Sequence, residues 1–314
     1  MSERVCAVVV TYNRQALLRE CLDALLAQTR PVDKILIIDN ASTDGTSMRL
    51  NETGYLRNDR IEYVLLEKNV GGAGGFHEGF KRSFEQGYDW LWVMDDDGIP
   101  DATSLQKLLA PREALFKGPL ILDKEDEAGQ RLAFDLFLRR AAGELRITTR
   151  QEAAEAAVDG LIWNYLCPFN GVLVSREVVE RVDFPKKDMF LWGDEWDYFH
   201  RVRRAKIPTA TVVDAIFRHP INRTEMRNGK IWFFKYVISY TDNPLRNYLL
   251  IRNHAYIAHR HYSIRAWVKH TLAYLAYYSK NPEQLKPRQV LKYSLEGLRG
   301  DLRGHLKFLE TENK

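Results

Sequence analysis

Cysteine and long apolar runs are scarce in this sequence. Its 314 residues include three cysteines, Cys6, Cys21 and Cys167, which lie far apart and without CxxC spacing. An odd number of scattered cysteines provides neither a disulfide framework nor a zinc cluster. The six apolar residues from Val5 are too few for a signal-peptide core, and no run approaches the ~18 apolar residues of a membrane span. We therefore expect a cytoplasmic protein with free thiols.

Two nucleotide-binding motifs are also missing. No GxGxxG follows the first predicted strand and no GxxxxGKS/T is present, which argues against a dinucleotide-binding domain and a P-loop NTPase. The composition, 45% hydrophobic and 28% charged over 314 residues, is that of a folded chain with a sizeable core. A disordered or low-complexity chain is therefore excluded.

Charge and aromatic residues divide the chain into two parts. Residues 221–314 hold 17 basic and 7 acidic residues, a net charge of +10, together with 14 aromatic residues, whereas residues 1–220 carry −6. We expect one domain over 1–220 and a helical region over 221–314. Basic helices with Trp and Tyr suit a membrane surface, but a helical bundle or an oligomer interface has the same composition. No recognition motif points to nucleic acid.

The first part alternates short apolar runs with helical patterns, and each run ends in a polar or glycine-rich loop. This alternation predicts an α/β fold with a mostly parallel sheet, whose ligands bind beyond the carboxyl ends of the strands. A less regular region follows over 120–160, and the DEWD segment near residue 194 is predicted to enter a helix. Four strands are predicted over 5–10, 35–38, 61–66 and 90–94, with a helix over 76–86.

Three aspartates, Asp95, Asp96 and Asp97, directly follow the fourth predicted strand. Clustered carboxylates repel one another unless a cation is present, and oxygen ligands favour Mg²⁺ or Mn²⁺. An acidic, solvated turn is the alternative, because Asp-Gly-Ile-Pro is also a good turn sequence.

Two other loops have nucleotide-binding chemistry. Asp39 follows a buried strand, where a carboxylate could bind a base or ribose, although a helix cap with an Asx turn also explains it. The glycine-rich segment containing Asn69, Gly72 and Gly75 offers backbone N–H groups without Cβ atoms in front of a helix, which suits a diphosphate or a sugar.

Taken in order, VVVTYNR, IIDNASTDGT, NVGGAGGF, WVMDDDGIP and LWGDEWDYFHRVRRA resemble inverting nucleotide-sugar glycosyltransferases of family 2, over about residues 5–220. The resemblance implies a GT-A fold, a Rossmann-like, mostly parallel sheet flanked by helices. Paired with DDD, NxGGAGGF looks most like bacterial galactofuranosyltransferases, with rhamnosyltransferases next. This resemblance implies a UDP-galactofuranose donor and a Mn²⁺ or Mg²⁺ cofactor. It also implies an acceptor hydroxyl on a lipid-linked polysaccharide of the cell envelope, such as O-antigen, which is made at the cytoplasmic face of the inner membrane.

The resemblance also assigns roles to the first set of motifs. Asp39 matches the residue that meets the nucleotide base, and Asp96 the one near the ribose. Asp95 and Asp97 match the metal-binding ends of the DXD motif, which a distant histidine completes. In this sequence His219 fits that histidine, although a structural histidine beside a proline is the alternative. The residues that match the nucleotide-holding loop are Thr11, Tyr12 and Arg14.

An inverting transfer needs a carboxylate within hydrogen-bond reach of the acceptor hydroxyl, whose proton it takes. By the resemblance Glu195 aligns with this base, Asp194 is the reserve, and Asp197 is expected to bind acceptor hydroxyls. A purely structural acidic helix N-terminus is the alternative. Aromatic faces suit sugar rings, so the acceptor-binding candidates also include Trp163, Trp192 and Trp196.

Three other functions stay open at this point. A dTDP-rhamnose-dependent rhamnosyltransferase of the same family is the nearest alternative. A nucleotidyltransferase would also use metal-bound aspartates, but it normally has a glycine-rich basic loop after the first strand, which TYNRQALL lacks. A non-catalytic glycan-binding or lipid-binding protein is less consistent with the intact acidic motifs.

Overall fold

The computed structural model describes residues 3–140, 143–221, 225–231 and 234–312. It divides into two compact units. The first unit comprises Met1–Pro185 and Tyr198–Asn222, and the second comprises Lys186–Asp197 and Arg223–Lys314. The acidic segment expected to contain the base therefore clusters with the C-terminal region, not with the domain predicted over 1–220. Residues 222–224, beside the predicted boundary, lie outside the described ranges.

The first unit is built on a mixed sheet in the order β3-β2-β1-β4-β10-β6-β11-β5, with β7 paired to β6 and β8, and β9 paired to β11. The pairs among β3, β2, β1 and β4 are parallel, as is the pair β6 and β11, whereas β10 is antiparallel to both of its neighbours. The strands are β1 (Val5–Thr11), β2 (Lys34–Asp39), β3 (Ile61–Leu65), β4 (Trp90–Asp95), β5 (Ile99–Pro100), β6 (Phe116–Asp123), β7 (Arg131–Arg140), β8 (Gly143–Thr149), β9 (Leu161–Trp163), β10 (Val172–Ser175) and β11 (Thr209–His219).

Helices cover this sheet because its strands are apolar on both faces. Every residue of β1 is buried, as expected for a parallel strand inside a doubly covered sheet. The core packs these strands against the apolar stripe of α1, including Leu18 and Leu22. The helices of this part of the chain are α1 (Gln15–Leu26), α2 (Thr46–Glu52), α3 (Gly71–Glu85), α4 (Ser104–Leu109), α5 (Arg150–Ala156), α6 (Arg176–Val182) and α7 (Asp194–Arg204), which begins in the second unit's segment.

The second unit has a tyrosine-rich core. Tyr236, Tyr240, Tyr274, Tyr277 and Tyr278 pack together with Ile238 and Val290. The sequence predicted helices after Pro220, but an antiparallel β-hairpin comes first, formed by β12 (Glu225–Ile231) and β13 (Phe234–Tyr240). The helices that follow are α8 (Pro244–Ile257), α9 (Ile264–Lys280), α10 (Pro287–Arg299) and α11 (Leu306–Glu312), with a π-helical turn over Ala258–Tyr262. Across the described ranges, no helix is long and apolar enough to cross a bilayer.

Candidate active site

The aspartate run ends β4 beside the loop that follows β1, because these two strands are parallel neighbours. Thr11 Oγ1 donates to Asp96 Oδ2 at 2.7 Å. Arg14 Nη1 donates to Asp96 Oδ1 at 3.1 Å and to Asp97 Oδ2 at 2.9 Å. Burial raises the pKa of Asp96 to about 6, although the Thr11 hydroxyl and Arg14 act in the opposite direction. Four predicted site residues, Thr11, Arg14, Asp96 and Asp97, therefore form one hydrogen-bonded group.

Asp97 also meets His219, which ends β11. Asp97 Oδ1 lies 3.1 Å from His219 Nε2, and both side chains are largely buried. The other ring nitrogen, Nδ1, lies 2.6 Å from the carbonyl oxygen of Pro220. Because a carbonyl only accepts, Nδ1 carries a proton, and a neutral ring then presents the Nε2 lone pair to the carboxylate. Asp97 Oδ1 and a lone pair on His219 Nε2 would repel each other at this distance. The contact is therefore favourable only when Nε2 also carries a proton or when a metal ion binds both atoms.

This pair fits a divalent metal. A carboxylate and an imidazole are both metal ligands in proteins, and here their polar atoms face each other at 3.1 Å. The Nδ1–H bond to a carbonyl is also the usual way in which proteins orient a histidine ligand. Among the described residues, no three His, Cys, Asp or Glu side chains are arranged as a metal-binding group. The structure thus assembles two members of the predicted triad and does not complete it with Asp95.

Asp39 lies at the end of β2 and is fully buried. Its Oδ1 accepts from the backbone N–H of Ser42, three residues further along the chain, at 2.7 Å. Its Oδ2 accepts from the hydroxyl of Tyr63 at 2.6 Å. Asp39 is therefore bonded within its own unit, but it does not cap α2, which begins at Thr46 after Gly45. Tyr63 was missed by the sequence analysis, because only the register of β2 against β3 places it beside Asp39.

The glycine-rich segment is part of a helix and not the loop that the sequence predicted. Helix α3 begins at Gly71, five residues before the predicted start, and Asn69 Oδ1 accepts from the N–H of Gly71 at 2.8 Å. Gly72 lies in the first turn. A Cβ on Gly75 would stand 2.6 Å from Val10 Cγ1. This is a correction for Gly75: it is buried, and its missing side chain lets α3 pack on β1 instead of opening a place for the donor.

Two aromatic candidates of the first unit are open to solvent. Tyr12, in the loop after β1, is 43% exposed, and Trp163, at the end of β9, is 39% exposed. Both side chains are accessible to a ligand, and their predicted roles stay predictions.

The second unit holds the candidate base. Asp194, Glu195 and Asp197 occupy the first turn of α7, where the positive end of the helix dipole favours acids. Burial raises the pKa of Glu195, although a hydrogen bond with the Asp194 side chain lowers it. Two carboxyl groups hydrogen-bond to each other only when they hold a proton between them. Burial thus disfavours the ionised form of Glu195, and its role as the base stays a prediction.

Asp197 is placed differently from the expectation. Its side chain is 1% exposed, and Oδ1 lies 2.8 Å from Nε2 of His261, which is itself 2% exposed. A buried carboxylate bonded in this way is not presented to an acceptor hydroxyl, so the structure does not support the predicted acceptor contact. Trp192 and Trp196 are both partly buried, and their contact with a sugar stays a prediction. His261 was missed because 64 residues separate it from Asp197 and no sequence pattern links the two.

A mostly parallel sheet with aspartates at the end of a central strand is the arrangement of GT-A glycosyltransferases, and the comparisons agree. Residues 6–118 match the model of glycosyl transferase family 2. The galactofuranosyltransferase GlfT1 of Mycobacterium tuberculosis is 33% identical over 265 residues, which cover 82% of this chain and 83% of the relative. The chain belongs to glycosyl transferase family 2 and is a glycosyltransferase.

Two solved structures share the fold. GalNAc-T7, crystallised with UDP, GalNAc and Mn²⁺, aligns with a TM-score of 0.55 and 15% identity over 69% of this chain and 43% of its own. Residues 1–349 of TarS from S. aureus align with a TM-score of 0.53 and 13% identity over 95% of this chain and 82% of that one. At these identities the likeness concerns the GT-A fold alone.

Proposed function

We propose that this enzyme transfers galactofuranose from UDP-galactofuranose to a hydroxyl group of a bacterial cell-envelope glycan, with inversion at the anomeric carbon. The observation that carries the proposal is the 33% identity to a galactofuranosyltransferase over four fifths of both chains. Such coverage includes the DDD run, His219 and the DEWD segment of this chain.

In this proposal Asp97 and His219 hold Mn²⁺ or Mg²⁺, with Asp95 recruited as the third protein ligand. When bound, the cation supplies Lewis-acid stabilisation of the donor's diphosphate as negative charge collects on it. Arg14, 38% exposed and already between Asp96 and Asp97, adds a second positive charge. Tyr12, exposed in the loop after β1, serves the nucleotide, as the family resemblance implies.

Glu195 acts as the base. It takes the proton of the acceptor hydroxyl while that oxygen bonds to the anomeric carbon, and the bond from this carbon to the diphosphate breaks, so that UDP leaves with the bonding electrons. Because attack and departure occur on opposite faces of the carbon, the configuration inverts. The burial that raises the pKa of Glu195 strengthens it as a proton acceptor.

A lipid-linked acceptor is consistent with one surface of the second unit, which we call the α9–α10 face. Ile264, Val268 and Leu272 follow one another at four-residue spacing on α9 and are 52%, 41% and 49% exposed, and Leu291 on α10 is 43% exposed. Exposed basic residues of the same two helices include Arg265, Lys269, Arg288, Lys292 and Arg299. Helix α9 contains no acidic residue, and the single acid of α10, Glu296, accepts from the hydroxyl of Tyr248. This chemistry suits peripheral binding to an anionic bilayer.

The membrane proposal is tested by co-sedimentation with vesicles. We expect binding to vesicles of equal parts phosphatidylglycerol and phosphatidylcholine, and loss of that binding in the Lys269→Glu/Lys292→Glu variant. The control Lys81→Glu/Lys107→Glu makes the same double charge change at exposed positions of the first unit, and we expect it to leave binding unchanged. Equal sedimentation of all three proteins, or dimerisation through this face in solution, contradicts the proposal.

The donor proposal is tested by calorimetric titration of UDP and dTDP with and without Mn²⁺. We expect UDP to bind in preference to dTDP and to need the metal. A preference for dTDP would point to rhamnosyl transfer instead.

A further inference from the structure

The segment that leads into the acidic helix turn has an unusual backbone. Phe190 and Trp192 adopt φ angles of 68° and 61°, and Gly193 adopts 93°. Positive φ is unfavourable for bulky side chains and persists only where surrounding contacts impose it. Contacts with other parts of the second unit therefore hold residues 189–193 in this conformation.

The holding contacts come from two consecutive buried residues of α8. Asn253 Nδ2 lies within hydrogen-bond distance of three carbonyl oxygens, those of Met189 at 3.0 Å, Leu191 at 3.0 Å and Trp192 at 2.7 Å. Arg252 Nη2 donates to the carbonyl oxygen of Met189 at 3.0 Å, and Arg252 Nε donates to Asn253 Oδ1 at 2.8 Å. Both side chains are fully buried. Arg252 thus fixes the orientation of the amide, and the amide fixes the strained loop.

Helix α8 also packs closely against Gly193. A Cβ at Gly193 would lie 3.0 Å from Ile257 Cδ1 and 3.3 Å from Asn253 Cβ. The approach leaves room for little more than a hydrogen atom. The residue immediately before Asp194 is therefore held by packing as well as by hydrogen bonds.

The other end of the acidic segment is held by His261, in the π-helical turn that follows α8. Its Nε2 donates to Asp197 Oδ1 at 2.8 Å inside the protein. Asp197 N–H in turn donates to the carbonyl of Gly193 at 2.8 Å, which closes the first turn of α7. Glu195 stands between these two fixed points, one at Trp192 and Gly193 and one at Asp197.

We infer that Asn253 and His261 are positioning residues for the transfer reaction, which hold the Glu195 carboxylate at the place and angle that proton abstraction needs. They act through the backbone of residues 189–193 and through Asp197 and do not touch substrate. A base displaced by about 1 Å can cost about 100-fold in rate, even when the displaced residue still binds. The inference rests on the proposed role of Glu195 as the base.

The test compares variants that keep or remove one hydrogen bond. His261→Phe keeps a ring and removes the donor, whereas His261→Gln keeps an N–H that can reach Asp197. We expect His261→Phe to lower kcat at least 10-fold, with the Kd for UDP changed less than 2-fold, and His261→Gln to recover most of the loss. His259→Gln, in the same turn but at an exposed position, is the matched control and keeps the wild-type kcat.

A second pair of variants applies if His261→Phe does not fold. Asn253→Asp has the same shape but turns a donor toward three carbonyls into an acceptor, while Asn253→Ser keeps a shorter donor. We expect kcat to fall further in the Asp variant than in the Ser variant. Wild-type kcat in folded His261→Phe or Asn253→Asp protein, or equal losses in His261→Phe and His261→Gln, overturns the inference.

These results are separable from those of the proposed function. If the wild-type enzyme transfers a sugar other than galactofuranose, the donor assignment is wrong, and the variants are compared with that sugar. If Glu195→Gln keeps the wild-type kcat, the base assignment fails and the inference fails with it.

Discussion

At the residue scale, the acidic groups differ in what surrounds them. Asp39 has both carboxylate oxygens bonded within its own unit, to Ser42 and Tyr63. Asp97 instead faces both Arg14 and the Nε2 side of His219. Asp97 is therefore the carboxylate whose second oxygen faces a ring nitrogen, and a second ring proton or a metal would join the two.

Substituting either member of the Asp97–His219 pair tests the metal assignment. We expect Asp97→Asn and His219→Gln to weaken the Mn²⁺ dependence of UDP binding at least 10-fold, since each removes one of the two proposed ligands, which lie 3.1 Å apart. Calorimetric titration of UDP at several Mn²⁺ concentrations measures this. Asp59→Asn, at an exposed position, is the control. Unchanged Mn²⁺ dependence in both variants would falsify the metal site.

The types of these residues could be predicted from sequence, but their partners could not. Asp39 and the three aspartates follow apolar runs, so their place at strand ends follows from pattern alone. Tyr63 is opposite Ile37 in the register of β3 against β2, and a shift of one residue would turn it to the other face. Local sequence does not determine that register, and the same holds for His261 and Asp197.

At the element scale, the glycines of α3 set how closely this helix approaches the sheet. The segment was predicted as a loop because four of the six residues from Gly71 are glycine, which is a poor helix former. The segment is nevertheless helical from Gly71, because its glycines let the helix pack closely on the sheet. A Cβ on Gly79 would lie 2.3 Å from Val8 Cγ1, so helix and strand are in contact where a side chain would otherwise stand.

This close contact predicts a specific loss of stability. We expect Gly79→Ala to lower the free energy of unfolding by about 1–3 kcal/mol, because the added methyl group overpacks the interface with β1. Lys81→Ala, on the exposed face of the same helix, should change it little. Denaturant unfolding measures both. Combining Gly79→Ala with Val8→Ala should cost less than the sum of the two single changes, and strict additivity would contradict the packing account.

At the scale of the whole molecule, charge and structure divide the chain in a related but not identical way. The change in composition near residue 220 corresponds to the start of the second unit's longer segment at Arg223. The inclusion of Lys186–Asp197 in that unit could not be predicted from composition. It depends on Arg252, Asn253 and His261, whose buried hydrogen bonds join segments far apart in sequence.

Two histidines of the second unit predict how stability depends on pH. Burial lowers the pKa of His254 to about 4 and that of His270 to about 3. Below the ordinary pKa of about 6.5 the unfolded chain therefore binds more protons than the folded chain, so stability falls as pH falls from 6.5 toward 4. The two groups together contribute a slope of at most about 2.7 kcal/mol per pH unit.

Unfolding at pH 7, 6, 5 and 4 measures this slope. We expect His254→Gln to reduce the loss of stability between pH 6.5 and 4, because a titrating group has been removed. His259→Gln should keep the wild-type slope, since this histidine is exposed. Identical slopes in the wild type and His254→Gln would show that the buried histidine does not control acid stability.

The central claim is that a family 2 glycosyltransferase with this site transfers galactofuranose with inversion. The most direct measurement presents the enzyme and Mn²⁺ with UDP-galactofuranose, UDP-galactopyranose and dTDP-rhamnose together, with a panel of octyl glycosides as acceptors, and determines the product by NMR. We predict galactofuranosyl products with the anomeric configuration opposite to that of the donor, and at least a 100-fold loss of rate in Glu195→Gln with UDP binding retained. Products carrying rhamnose, or galactofuranose with the configuration of the donor, would contradict it.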